Sequence, residues 1–324
     1  MVPLHADHVR STIDHRLSII EHGAVRGSRS PSSHRGDRRP ASSYNPRMRR
    51  LIARDDARDA LASWLREFGS LSGAAAAHPE AETLRGRGRV HVVPSPVTAG
   101  ERWVVRHYHR GGAVATVLGD RYLRLGPPRP EREYRVGRAL ERLGVPTPPH
   151  VGAAWYAAGP FRRGDLVTGY VPGSHDLAAV LFPGRSLEGE GSPAGPAAGG
   201  ATAGTGTGDV ELDAEGTGAP DPPVDRAAAM EAAGRLLRTL HEHGVSHPDL
   251  NLKNVLITEP ARPGGMPRAL VLDLDRARIR RRLGERARRR MIERFWRSAR
   301  KWETRTGERV GPAIEAAFRA GYGR

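Results

Sequence analysis

The chain has 324 residues, a formal net charge of +16 and no cysteine. That length suits one large domain or two small ones with a real core, and the missing cysteines exclude a disulfide framework, a thiolate metal site and a thiol nucleophile. No apolar run reaches membrane-spanning length, and the opening "MVPLHADHVRSTIDHRLSII" lacks the continuous apolar stretch of a secretory signal.

Residues 1–50 hold ten arginines against four acids and show no sustained period, so they are expected to be a disordered basic segment, with Met48 a later candidate start. Residues 51–81 read as a helix and a linker. In "RDDARDALASWLREF" (54–68), Ala57, Leu61, Trp64, Leu65 and Phe68 share one helical face, and "SGAAAAHPEAE" then loosens. Residues 82–175 read as β-rich with one helix. "RVHVV" (89–93) and "RWVVRHY" (102–108) are predicted strands joined by a turn. "EREYRVGRALERLG" (131–144) is a predicted helix with Val136, Leu140 and Leu143 on one face, stopped by Gly144. "DLVTGYV" (165–171) is a further strand.

Residues 184–223 are mostly Gly, Ala, Pro, Ser, Thr and acids, too poor in large apolar side chains to offset chain entropy. They read as a disordered insert in a surface loop. Residues 225–310 then give a helix, "DRAAAMEAAGRLLRTLHEHG" (225–244), two strands, "VLI" (255–257) and "ALVLDLD" (269–275), and a long arginine-rich helix. On that last helix Leu283, Ala287, Met291, Phe295, Ala299 and Trp302 form a stripe expected to be core. Residues 276–309 carry fifteen Arg/Lys against four Glu, and the only lysines of the chain are Lys253 and Lys301. A surface this basic suits a polyanion, whether nucleic acid, anionic lipid or phosphorylated glycan, and equally suits a solvated face biased by a GC-rich genome.

The chemistry concentrates in "HGVSHPDLNLKNVLI" (243–257) and "VLDLD" (271–275). Read in order they match the pattern H-x-D-L-x-x-x-N followed by a strand-end Asp, which phosphoryl-transfer enzymes use. Asp249 stands where a carboxylate accepts the proton of an attacking hydroxyl. Asn254 and Asp273 are hard oxygen donors of the kind Mg²⁺ takes. An Asx-rich turn between helix and strand fits "HPDLNLKN" as well. Such sites also need a phosphate-covering loop, a cation on a strand and a helical glutamate to hold it. "RGRGRV" places Gly86 and Gly88 before a strand, which suits that loop or an ordinary tight turn. No lysine precedes Lys253, so the strand cation is Arg106, whose guanidinium stays charged when buried. Glu133 is its natural partner, though a first-turn acid also favours the helix dipole.

Taken together, "WVVRHYHRGGAVATVLGDRYL", "EREYRV", "LGVPTP", "HGVSHPDLNLKNVLI" and "VLDLDRARI" resemble the 3-deoxy-D-manno-octulosonic acid (Kdo) kinases of the lipopolysaccharide core kinase family, over roughly residues 82–300. The resemblance implies an α+β, two-lobed protein-kinase-like fold with a small β-rich N-lobe and a mainly helical C-lobe. It implies ATP and Mg²⁺ as cofactors, with Asp249 catalytic, Gly86, Gly88, Arg106 and Glu133 at the nucleotide, and Asn254 and Asp273 at the metal. The implied acceptor is the 4-hydroxyl of Kdo in Kdo-lipid A, an anionic glycolipid, rather than a nucleic acid. The implied place is the cytoplasmic face of the inner membrane, with the basic C-terminal helix and Arg110-Gly111-Gly112 against the substrate's acidic groups. A heptose or aminoglycoside kinase, or an atypical protein kinase, is the alternative. Two departures stand: Asp275 occupies the glycine position of D-F-G, and residues 1–80 and 184–223 have no recognised counterpart.

Overall fold

The computed structural model describes residues 49–84, 90–108, 122–123, 126–158, 161–184, 224–260, 262 and 264–323. The expectations for residues 1–48, the insert, Gly86, Gly88 and Arg110-Gly111-Gly112 lie outside the described residues.

The N-lobe is one antiparallel sheet. Strand β1 (Arg49–Ala53) pairs with β6 (His150–Ala158), then come β7 (Phe161–Gly169), β4 (Arg102–His107), β3 (Val90–Pro94) and β2 (Glu82–Leu84), while the short β5 (Tyr122–Leu123) pairs with β7. Strand β1 starts inside the segment expected to lack structure: Leu51 and Ile52 lie opposite Ala154 and Ala153, so the sheet edge orders it. Helix α1 (Arg58–Phe68) closes one face of the sheet by burying Leu61 and Leu65, and ends at Gly69, which takes the left-handed conformation. The expected linker is not all linker. Residues Leu71–Ala77 form helix α2, because the Ser70 side chain accepts the Gly73 N–H and caps it.

Helix α2 is tied to the sheet by a buried polar network. The fully buried Asp165 of β7 accepts from the Ser72 N–H at 2.8 Å and the Tyr156 hydroxyl at 2.6 Å, and pairs with His107 Nδ1 at 2.5 Å. Each partner satisfies a lone pair that burial would otherwise leave costly. Trp103 on β4 is fully buried beside Trp64 of α1, their rings edge-on at 5.8 Å.

Helix α3 (Arg129–Arg142) crosses behind the sheet and buries Glu133, Tyr134, Gly137 and Leu140. Gly144, at φ 71, ends it. The chain then runs through Pro146 and Thr147, which bind the C-lobe: the Val271 N–H donates to the Pro146 carbonyl and the Thr147 hydroxyl to the Val271 carbonyl, each at 3.0 Å.

The C-lobe holds the larger apolar core. Strand β8 (Ser174–Asp176) and helix α4 (Leu177–Leu181) lead in, and helix α5 (Arg226–Glu242), capped by Asp225, packs under the strand pair β10 (Val255–Thr258) and β11 (Arg268–Val271). Strands β9 (Val245–Ser246) and β12 (Arg278–Ile279) form a two-stranded ribbon. Helix α6 (Glu285–Thr306) turns the expected stripe inward, burying Met291, Phe295, Ala299 and Trp302, and leaves its arginines outside. Beyond the region read from sequence, Gly311 and Pro312 start a last helix, α7 (Pro312–Tyr322). It presses on α5 so closely that a Cβ at Gly321 would stand 2.0 Å from the Glu231 carbonyl oxygen. No helix among the described residues is long and apolar enough to cross a membrane.

Candidate active site

Where the lobes meet lies a cavity of about 300 Å³. Its roof is Val104 on β4 with Leu166 and Thr168 on β7. Gly169, Tyr170 and Val171 form the connection between lobes, and Leu256, Leu272 and Asp273 form the floor. A mostly apolar cavity of this size, with a few polar groups in its wall, suits an aromatic base.

Arg106 and Glu133 supply charged groups to that wall. Arg106 is presented by β4, in register with Leu166 of β7, and Glu133 by α3. Arg106 Nη2 donates to both carboxylate oxygens of Glu133 at 2.7 Å. The Glu133 side chain is 4% exposed and that of Arg106 34%. Tyr108 closes the group. Its hydroxyl makes a short contact with Glu133, and Arg106 lies over its ring at 5.1 Å. Burial works against the Arg106 charge, but Glu133, Tyr108 and Asp273 outweigh it and hold the guanidinium pKa above its ordinary value.

Asp273 sits at the end of the floor. It is the one non-glycine among the described residues with positive φ, 58°. A side chain there costs about 1–2 kcal/mol of backbone strain, and such strain gathers at functional sites. Burial and the Glu133 charge raise its carboxyl pKa, against Arg106, His247 and Arg129. Strand β11 stops at Val271, so Asp273 is turned out of the ladder rather than ending it as the "ALVLDLD" reading expected. His247, fully buried, binds the Leu272 carbonyl through Nε2 at 2.9 Å and so fixes the residue before Asp273.

Asp249 and Asn254 lie on the loop between β9 and β10. The Asn254 amide Nδ2 donates to the Asp249 carbonyl at 2.9 Å, and Asn251 Nδ2 does the same. That commits the Asn254 nitrogen and leaves its Oδ1 as an acceptor. Asp249 does not line the cavity. Its carboxylate, one quarter exposed, is held by Arg276 at 2.9 Å and Arg294 at 3.0 Å.

A model of the lipopolysaccharide kinase (Kdo/WaaP) family matches residues 80–194 and 212–313. The chain belongs to that family. It is 32% identical over 238 residues to a 3-deoxy-D-manno-octulosonic acid kinase of Xanthomonas oryzae pv. oryzae, covering 72% of this chain and 76% of that one. It is 28% identical over 197 residues to a protein of the same name from Stenotrophomonas maltophilia, and there spans 59% of the relative's length. Among solved structures it is similar to "WaaP in complex with acyl carrier protein", at 18% identity over 85% of this chain and 89% of that one, with a TM-score of 0.45. The fold of this Kdo/WaaP family member is α+β and two-lobed, with an antiparallel-sheet N-lobe and a mainly helical C-lobe.

Four residues of this family member's candidate site escaped the sequence reading. Tyr108 braces Glu133. Arg129, first residue of α3, pairs with the buried Asp275 and lies 5.5 Å from the Tyr108 ring centre. The carboxylate at the D-F-G glycine position is therefore an anchor: it fastens the helix that carries Glu133. Arg276 and Arg294 reach Asp249 from 27 and 45 residues away, a contact no local pattern announces. The donor chemistry fits Mg²⁺, since Asn254 Oδ1 and the Asp273 carboxylate are hard oxygens and few, and Mg²⁺ in such sites keeps its remaining positions for water and phosphate. No cluster of three or more His, Cys, Asp or Glu able to hold a metal by itself occurs among the described residues.

Proposed function

We propose that this chain transfers the γ-phosphate of ATP to the 4-hydroxyl of Kdo in Kdo-lipid A, at the cytoplasmic face of the bacterial inner membrane. The observation that carries the reading is the part-buried Arg106–Glu133 ion pair lining a cavity whose wall also holds Asp273, in a chain of this family. Relatives at 28–32% identity bear the name of Kdo kinase, which supports the acceptor. The exposed arginines of α6 support an anionic surface as the place of work.

In this reading the adenine fills the slot between Val104, Leu166 and Leu272. Arg106, steered by Glu133, binds phosphate oxygens. Asn254 and Asp273 hold Mg²⁺, which supplies neutralisation of phosphate charge when bound with the nucleotide. Asp249 orients the sugar hydroxyl and takes its proton as the oxygen bonds to the γ-phosphorus. The bond to the β–γ bridging oxygen breaks, and ADP leaves with that electron pair. Positioning and charge do most of the work. Gly86 and Gly88 complete the nucleotide-binding set in this reading.

The test is transfer of labelled γ-phosphate to purified Kdo-lipid A, with heptose-bearing core and an aminoglycoside as rival acceptors, and the product position read by mass spectrometry and NMR. Label at the Kdo 4-position supports the proposal. Label only on a rival acceptor overturns the Kdo assignment while leaving a phosphotransferase.

A further inference from the structure

Asp249 has a proton to receive, yet a guanidinium sits on each of its carboxylate oxygens. Arg276 Nη1 binds Oδ2 at 2.9 Å and Arg294 Nη2 binds Oδ1 at 3.0 Å. The two arginines come from separate elements, the turn after Asp273 and the third turn of α6. Their side chains are 61% and 45% exposed. Ion pairs that exposed contribute little to stability, so the fold does not need them, and water or another anion exchanges with them readily. A donor already seated on each oxygen also competes with an acceptor hydroxyl for it. The arrangement therefore suits a resting state better than a reacting one. Arg290 and Arg297, one turn to either side of Arg294 and exposed, continue the positive surface along α6 away from Asp249.

We propose that Arg276 and Arg294 form the acceptor's anion subsite: they bind the carboxylate of an acidic sugar, and Asp249 occupies them until that sugar arrives. This rests on the phosphotransferase reading above and deepens it. Guanidinium forks match a carboxylate in two parallel hydrogen bonds. In an octulosonic acid the carboxylate and the reacting hydroxyl stand on one ring. A fork that touches Asp249 is then one sugar ring from the oxygen to be phosphorylated. Binding of the acid draws the arginines off Asp249 and frees it to accept the proton. A neutral sugar leaves Asp249 clamped. The same two residues thus bind the acidic acceptor and reject neutral ones.

The experiment uses the full chain with R276A, R294A and the conservative R276K and R294K. Titration of free Kdo without nucleotide reads the subsite directly, and kinetics at saturating ATP compare Kdo-lipid A with its carboxamide. The expected result is a loss of about tenfold or more in Kdo affinity and a similar rise in acceptor KM for each alanine variant, since each removes a charge-assisted hydrogen bond. Partial rescue by lysine, a shrunken preference for acid over amide, and unchanged ATP affinity are expected with it. Melting temperature checks that each variant is folded. Equal Kdo affinity in wild type and variants, or a wild type that does not bind Kdo, overturns the inference. So does a fall in kcat alone with the acid-to-amide preference kept, because the arginines then act only on Asp249. Wild-type Kdo binding that depends on both arginines, with no transfer to Kdo-lipid A, overturns the transfer reaction and leaves the subsite standing.

Discussion

Replacing Arg106 with alanine leaves Glu133 facing only Tyr108 in a place where its side chain is 4% exposed. Stranding one member of a buried pair costs about 3–5 kcal/mol. The lower end applies here, because Arg106 is a third exposed and Tyr108 remains as a hydrogen-bond donor. Replacing Glu133 instead leaves a guanidinium that water already reaches, at about 1 kcal/mol. R106A is therefore expected to be less stable than E133A by about 2 kcal/mol, and the double variant R106A/E133A more stable than R106A. Nucleotide binding follows a different order. R106A and E133A both weaken ATP binding, and the double variant is little worse than R106A, because the glutamate acts through the arginine. R106K recovers part of the affinity. Denaturant unfolding of the four proteins gives the stabilities and calorimetric titration the ATP affinities. Equal destabilisation by the two single variants would refute the burial argument. Unchanged ATP affinity in R106A would refute the role of the pair.

Asp273→Asn removes a charge whose burial raises its pKa, so at neutral pH the variant is expected to melt higher while losing transfer. A raised folded pKa penalises the fold above that pKa, and the penalty fades as pH falls towards the unfolded value. The stability gain must accordingly shrink on acidification, which a series of melting curves checks. Gly137→Ala puts a Cβ 2.1 Å from His150 Cε1, on a ring whose Nδ1 and backbone N–H both contact Glu141. About 2–3 kcal/mol of destabilisation is expected, with weaker ATP binding because the helix carrying Glu133 shifts. Unfolding and titration of the same sample read both. Gly321→Ala forces α7 off α5, and a loss of about 3 kcal/mol with ATP affinity retained is the expected pair of results.

Legibility followed sequence distance. The loop of residues 247–254, the arginine on β4 and the stripe of α6 were readable because each is a local pattern of residue types with a chemical reason. Strand β6, "HVGAAWYAA", was missed because Ala and Gly have little strand preference of their own, and β1 and β7 on either side hold it extended. Strand β1 is short and begins with two arginines, so only its pairing defines it. Helix α7 carries ordinary start and stop signals, Gly311-Pro312 and Gly323. The grip of Arg276 and Arg294 on Asp249 depends on how the C-lobe folds, and that of Arg129 on Asp275 on how the two lobes meet. No spacing rule reaches across such distances.

The central claim is that Asp249 serves an acceptor hydroxyl while Asp273 and Asn254 serve the nucleotide. Single-turnover transfer from labelled ATP to Kdo-lipid A by wild type and Asp249→Ala, alongside ATP titration of both, tests it most directly. The account predicts phosphorylated Kdo from the wild type, a loss of several orders of magnitude in the variant, and the same ATP affinity in each. Transfer by Asp249→Ala at near wild-type rate would contradict it.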